Sequence, residues 1–184
     1  MQSKSIFRII ALFVAAIGLL GCMENKEKIT FYADGTADIE AIIEVSEDVD
    51  DEDARNGWRF WIWTYRYMFP ELRENYTLKE EFVSESETER LRFIFKNKKR
   101  LKLQNTEWMS FTKASDGTFM FSSTVPKFPG ADEDEDIAFE LTVEMPKEIE
   151  SANATSIDGK IAKWRITWEQ FARGLTLKAV TKNR

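Results

Sequence analysis

The chain has 184 residues but no histidine, and its single cysteine is Cys22. Without histidine there is no imidazole to act as a catalytic base or to bind a metal. One thiol can form neither an intramolecular disulfide nor a cysteine-rich zinc site. Catalysis by a serine or cysteine paired with histidine is therefore excluded. No motif places two carboxylates at a defined acid–base site, so we expect no catalytic residues and a protein that is not an enzyme.

Long hydrophobic runs are absent after residue 22, but the first 22 residues contain one. Lys4 and Arg8 are the only charges there, and an uninterrupted apolar run extends from Ile9 to Leu20. A basic start followed by such a run is typical of a secretory signal peptide. Twelve residues are too few to span a bilayer core of about 30 Å, so we expect residues 1–21 to be cleaved off.

The single cysteine lies directly after this run. Leu19-Leu20-Gly21-Cys22 resembles the bacterial lipobox, although Leu20 stands where Ala or Ser is more usual. The resemblance implies that Cys22 carries a diacylglycerol and an N-acyl chain, with no other cofactor, and that residues 22–27 form a lipidated tether. An ordinary secretory peptide with an incidental thiol is the alternative.

Lipidation of Cys22 predicts where the protein resides. Two or three acyl chains anchor a protein durably, and no second apolar span occurs before Arg184. We therefore expect a protein of the cell envelope, lipid-anchored on the extracytoplasmic side of a membrane. In a Gram-negative host, Met23 after the cysteine resembles the signal for the outer membrane. In a Gram-positive host, the protein would be on the outer face of the plasma membrane.

The charge balance argues against one class of partner. The whole chain carries −6 and residues 1–21 carry +2, so the mature chain would carry −8, which disfavours nucleic acid. Local runs are uneven: 44–53 and 132–136 are acidic, and 96–102 holds five cations in seven residues. Such runs are usually solvated loops. Neither acidic run has the spacing of an EF-hand loop, so we predict no metal site.

The remaining chain, residues 28–184, predicts a single α+β domain. Asp-Gly pairs at 34–35, 116–117 and 158–159 favour tight hairpins between strand-like segments. Breaks in the period of two predict a long helix over 50–69 and a short one over about 97–108. The expected order is ββαββα followed by four to five strands, an antiparallel sheet with hairpins or a meander packed against the two helices.

The segment 50–69 is also the best candidate for a site. Seven of the twelve residues from Trp58 to Phe69 are aromatic, more than one buried stripe of a helix needs. Four interpretations compete: a fully covered core helix, the wall of an apolar cavity, a bilayer contact, and a protein-binding groove. The candidate ligand-binding residues are Trp58, Arg59, Phe60, Trp61, Trp63, Arg66 and Tyr67.

The C-terminal third resembles the end of the LppM-type lipoprotein domain. The pattern is a strand, a turn with Pro146, Ser-Ala-Asn over 151–153, Gly159, Trp164 and a last strand with Ala179. An acidic insertion at 130–136 departs from that pattern. The resemblance implies a non-enzymatic envelope protein with affinity for lipid or glycolipid, and it supplies no site residues.

These observations together predict a function. We expect a membrane-anchored, extracytoplasmic lipoprotein that binds a lipid, a glycolipid or another apolar ligand near helix 50–69. The alternative is a scaffold or assembly factor that binds another envelope protein.

Overall fold

Alternating apolar and polar residues give the chain a fold built mainly of β-strands. The computed structural model describes residues 23–46, 75–85, 88–103, 105–106, 109–125, 127 and 137–183. The strands are β1 Met23–Phe31, β2 Ala37–Ser46, β3 Tyr76–Glu85, β4 Thr88–Asn97, β5 Met109–Lys113, β6 Phe119–Val125, β7 Ile137–Glu144, β8 Ile149–Ala152, β9 Ser156–Asp158, β10 Ile161–Thr167 and β11 Leu175–Thr181. Within these ranges one helix is present, α1 Trp168–Arg173. Residues 23–27, which the sequence assigned to a tether, lie in β1.

The strands form two sheets. The larger sheet has seven strands in the order β3-β4-β2-β1-β7-β10-β9, and the smaller has four in the order β5-β6-β11-β8. Neighbouring strands are antiparallel, except that β1 and β7 run parallel. The sheets pack face to face through aromatic side chains, with the Phe31 ring stacked on Phe111 at 4.1 Å between centroids. Phe121 of the smaller sheet lies 6.0 Å from Trp164 of the larger.

The predicted α+β class is therefore wrong. The short helix predicted over about 97–108 is not formed in the described residues of that range: β4 extends to Asn97, and Leu101 makes two backbone hydrogen bonds with Ala37, of 2.7 and 2.8 Å. Leu101 is buried, Lys102 is exposed and Leu103 is half-buried, which is the period of two of an extended segment. The long helix predicted over 50–69 lies outside the described residues.

All three Asp-Gly hairpins are confirmed. Gly35, Gly117 and Gly159 have φ angles of 83°, 85° and 55°, a left-handed conformation that glycine adopts at no steric cost. In the first two turns the aspartate accepts a hydrogen bond from the threonine amide two residues later, at 3.0 Å for Asp34 and 2.9 Å for Asp116. The pKa of Asp34 is lowered mainly by a second bond, which the Thr36 hydroxyl donates at 2.6 Å, and then by the amide bond. The pKa of Asp116 is lowered mainly by its bond from the Thr118 amide.

The core lies between the sheets. Alternation in each strand turns one apolar face inward, because successive side chains of a strand point to opposite sides. The buried apolar side chains on the inner face of the larger sheet are Ile29, Phe31, Ala37, Ile39, Ala41, Ile43, Val45, Leu91, Phe93, Phe95, Leu141, Val143, Ala162, Trp164 and Ile166. Those of the smaller sheet are Met109, Phe119, Phe121, Val125, Ile149, Leu177 and Ala179.

The outer face of the larger sheet carries alternating charges that pair across strands. Glu44 is buried and accepts a 2.6 Å hydrogen bond from Arg92 Nε on the neighbouring strand. Further cross-strand ion pairs join Lys96 to Glu40 at 2.8 Å, Lys28 to Glu144 at 3.1 Å and Arg165 to Glu140 at 3.0 Å. This pairing balances most of the charge on that face.

Replacing Phe31 with alanine tests the contact between the sheets. We expect the free energy of unfolding to fall by about 3–5 kcal/mol, because the substitution removes a buried aromatic ring that belongs to the larger sheet and contacts the smaller one. Equilibrium urea unfolding measures the change. Met120→Ala is the control, since Met120 is 41% exposed and should cost far less. Equal losses in the two variants would contradict this account of the core.

Candidate functional site

The directions of the strands give the larger sheet two distinct ends. Strand β1 begins at Met23, which is paired with Val45 close to the end of β2. The last residue of β10, Thr167, is paired with Ile137 at the start of β7. We call this the Met23 end of the sheet. The opposite end carries the Asp34-Gly35 and Asp158-Gly159 turns, and we call it the hairpin end. The Asp116-Gly117 turn of the smaller sheet lies near this end, because Lys147, shortly after β7, donates a 3.1 Å bond to the Gly117 carbonyl.

Helix α1 lies at the Met23 end, because it follows directly from β10. Its start is encoded by Thr167 and Gln170, which form a capping box: each side chain bonds the backbone amide of the other. Gly174 ends the helix with a φ angle of 73°. Glu169 and Arg173 pair along the exposed side at 2.6 Å. Local signals thus hold six residues as a helix between two strands.

An aromatic cluster of Phe139, Trp168 and Phe171 joins α1 to the larger sheet. The Phe171 ring meets Trp168 edge to face at 5.9 Å and Phe139 edge to face at 6.0 Å. Phe171 is buried, whereas Phe139 and Trp168 are half-buried. Tryptophan has an apolar body and a polar N–H, which suits it to a boundary between water and an apolar phase. The cluster can therefore contact an amphipathic surface, and it contains no nucleophile.

Two polar residues interrupt the apolar inner face of β1 near this cluster. Asn25 is paired with Ile43, and Glu27 with Ala41 on β2 and Leu141 on β7. Asn25 Oδ1 is buried and, among the described residues, has no hydrogen-bond partner. Leaving a buried acceptor unpaired costs about 1–3 kcal/mol, and such an atom can accept a bond from water or a ligand hydroxyl.

Sequence reasoning missed these two residues, although the signal was present. In MENKEKITF, Asn25 and Glu27 are in phase with Ile29 and Phe31, the two buried side chains of β1. Polar residues on the apolar side of a strand are uncommon enough to be informative.

The residues predicted as sites lie elsewhere in the chain. Cys22 directly precedes Met23, and both Cys22 and the predicted ligand-binding residues lie outside the described residues. The latter are Trp58, Arg59, Phe60, Trp61, Trp63, Arg66 and Tyr67, and their roles stay predictions. In the described part of the chain no group of acidic or cysteine side chains could hold a metal. No helix within the described ranges is long and apolar enough to cross a bilayer.

Comparison with known proteins gives a distant likeness in fold. The sequence matches no family model and no curated protein. The structure is similar to the NMR structure of the folded domain of the LppM protein of Mycobacterium tuberculosis, with 13% sequence identity and a TM-score of 0.48. The likeness covers 88% of this chain and 90% of that one. It concerns the fold alone and transfers neither lipidation nor a ligand.

Replacing Asn25 with leucine tests whether its Oδ1 lacks a partner. We expect the free energy of unfolding to rise by about 1 kcal/mol, because a similar volume is kept and an unpaired acceptor is removed. Thermal and urea unfolding measure the change.

Asn97→Leu is the matched control. Asn97 accepts a 2.6 Å bond from the Ile39 amide and donates to Asp38 at 2.8 Å and to the Lys99 carbonyl at 2.9 Å. Its loss should therefore destabilise the fold. If Asn25→Leu destabilises it as well, Asn25 has a bound partner such as an ordered water.

Proposed function

We propose that this protein is a lipid-anchored lipoprotein of the cell envelope, on the extracytoplasmic side of a membrane. Support comes from the charged start at Lys4 and Arg8, the apolar run that ends at Leu20, and the lipobox-like sequence that ends in Cys22. Acyl chains on this thiol would stabilise membrane attachment by about 0.8 kcal/mol per buried methylene.

The strongest structural support for this proposal is that β1 begins at Met23, directly after Cys22. One extended residue spans at most about 3.6 Å, so acyl chains on Cys22 would hold the Met23 end at the bilayer surface. The half-buried Trp168 at this end suits the interfacial region, where tryptophan rings lie among headgroups. The domain would then stand on the membrane with its strands pointing away from it.

We further propose that the protein is not an enzyme and binds a lipid, a glycolipid or another apolar ligand through the segment that contains Trp58, Trp61, Trp63 and Tyr67. Ligand sites are mostly apolar with a few polar groups that orient the ligand. Arg59 and Arg66 would supply such groups. The density of aromatic residues supports this function, and the absence of histidine from the sequence disfavours catalysis.

Replacing Cys22 with serine tests the anchor. We expect the variant to leave the membrane fraction, because serine cannot accept the thioether-linked diacylglycerol. Cell fractionation, with mass spectrometry of the mature N-terminus, measures both attachment and acylation. Ser46→Ala serves as a control that should stay membrane-bound. A Cys22→Ser protein that remains with the membrane would refute lipidation as the means of attachment.

Replacing Trp63 and Tyr67 together with serine tests the ligand site. We expect the variant to lose most of its co-purified lipid while its unfolding midpoint stays close to that of the parent. Extraction of the purified protein followed by mass spectrometry measures the lipid. A loss of several kcal/mol in stability, as for core aromatics, would instead make these rings part of the core. A parent protein that carries no lipid would contradict the proposed ligand.

A further inference from the structure

A rigid basic loop lies at the hairpin end of the larger sheet. It spans residues 98–102, directly after β4 and beside the first residues of β2. Lys98, Lys99, Arg100 and Lys102 are exposed, whereas Leu101 is buried and anchors the loop to Ala37. The loop therefore presents four cations on a fixed backbone.

Asn75 provides much of this rigidity. Its backbone carbonyl accepts a 3.1 Å bond from the Lys98 amide, and its side chain exchanges two bonds with Lys99, of 2.9 and 2.8 Å. Asn97 adds a bond to the Lys99 carbonyl at 2.9 Å. A loop held in this way loses little conformational entropy when it binds a partner.

Arg100 is also held in place, by an aromatic ring. Its guanidinium lies 3.5 Å from the centroid of Tyr32, a cation–π contact. Tyr32 donates a 2.6 Å hydrogen bond to Asp38, and this bond raises the pKa of the Tyr32 hydroxyl above its ordinary value. Asp38 in turn accepts from Asn97. The arginine is thus fixed at the base of the loop.

The three lysines of the loop differ from Lys28 and Lys96, which lie on the outer face of the larger sheet. On the outer face, Lys28 and Lys96 pair with carboxylates of neighbouring strands. In the described part of the chain, Lys98, Lys99 and Lys102 make no ion pair. Like charges held close together repel each other, so a partner of opposite charge would relieve the repulsion.

We propose that the basic loop is a docking surface for a short acidic segment of another protein, on the side of the domain that faces away from the membrane. The orientation rests on the proposed lipid anchor. Strand β1 separates Met23 from the hairpin end by nine residues, which is about 30 Å at roughly 3.4 Å per residue. The screening length for charges is about 8 Å at physiological salt, so the lipid headgroups of the anchoring bilayer would not attract the loop from that distance.

The size of the patch favours a protein segment over a long polyanion. The cations span five residues, and Asp34 in the neighbouring turn is close enough for Arg100 to contribute to its lowered pKa. A long polyanion would extend past the loop onto the rest of the protein surface. The chain as a whole has a net charge of −6, which would repel the polyanion there. A segment with a few carboxylates matches the patch without that repulsion, and charge complementarity gives such a contact its specificity.

Charge reversal tests the docking surface. The detergent-solubilised full chain is titrated into a fluorescently labelled hexaglutamate peptide, and fluorescence anisotropy measures the affinity. We expect the combined substitutions Lys98→Glu, Lys99→Glu and Lys102→Glu to weaken binding by about tenfold or more, and added salt to weaken binding to the parent chain.

The matched control reverses three exposed lysines elsewhere, Lys127, Lys163 and Lys178, and so changes the net charge equally. It should weaken binding by less than about twofold. The neutral variant with glutamine at 98, 99 and 102 should give an intermediate loss, and circular dichroism checks that all variants are folded. Equal losses in the two charge-reversed variants would refute a local surface, as would no binding of the peptide.

Competing anions separate a protein partner from the alternatives. Long-chain polyphosphate and phosphatidylglycerol vesicles are titrated in the same way. Tighter, loop-dependent binding to either one would overturn the proposal in favour of a polyanion or a second membrane. These titrations do not depend on the lipid anchor. They can therefore refute the docking surface even if the Cys22→Ser variant confirms the anchor by leaving the membrane. Conversely, if Cys22 proved not to be lipidated, only the inference that the loop faces away from the membrane would be lost.

Discussion

The parallel pairing of β1 with β7 is the constraint on which the rest of the fold depends. It joins the first strands, β3-β4-β2-β1, to the last ones, β7-β10-β9, in one sheet, and brings Ile29 beside Val143. Both strands then begin at the same end, so β2 and β10 end there and α1 starts there. Loss of this pairing would separate the core residues of the two halves. It would also remove the distinction between the Met23 end and the hairpin end.

Features encoded within a few residues could be predicted from the sequence. Asp-Gly turns require only the backbone freedom of glycine and the acceptor of aspartate, so the three hairpins are predicted correctly. The capping box of Thr167 and Gln170 is equally local, but α1 is not among the predicted elements. For the basic run, the break in the period of two wrongly predicts a helix over about 97–108, because an irregular extended segment breaks that period as well. The extended form of this run depends on Ala37, more than sixty residues earlier.

The division into two sheets was out of reach for a related reason. The pairing of β1 with β7 joins residues more than a hundred positions apart, and alternation gives the face of a strand but not its neighbour. Among the candidate site residues, Cys22 can be identified from the sequence alone, because a single cysteine directly after an apolar run is typical of a lipidation site. Asn25 and Glu27 acquire meaning only once Ile29 and Phe31 are known to face the core. A polar residue within a core can be recognised only after the inward-facing side of its strand is known.

The described charges of this domain differ in whether they are paired within the chain. On the outer face of the larger sheet, cross-strand pairs such as Lys96 with Glu40 neutralise neighbouring charges, which leaves little net attraction for a charged partner. The basic loop is held by backbone bonds and by the Tyr32 ring, so its three lysines are not needed to maintain the fold. Residues that stabilise nothing in the chain itself are free to serve binding. The loop is therefore the surface where a change of charge should alter recognition without altering stability.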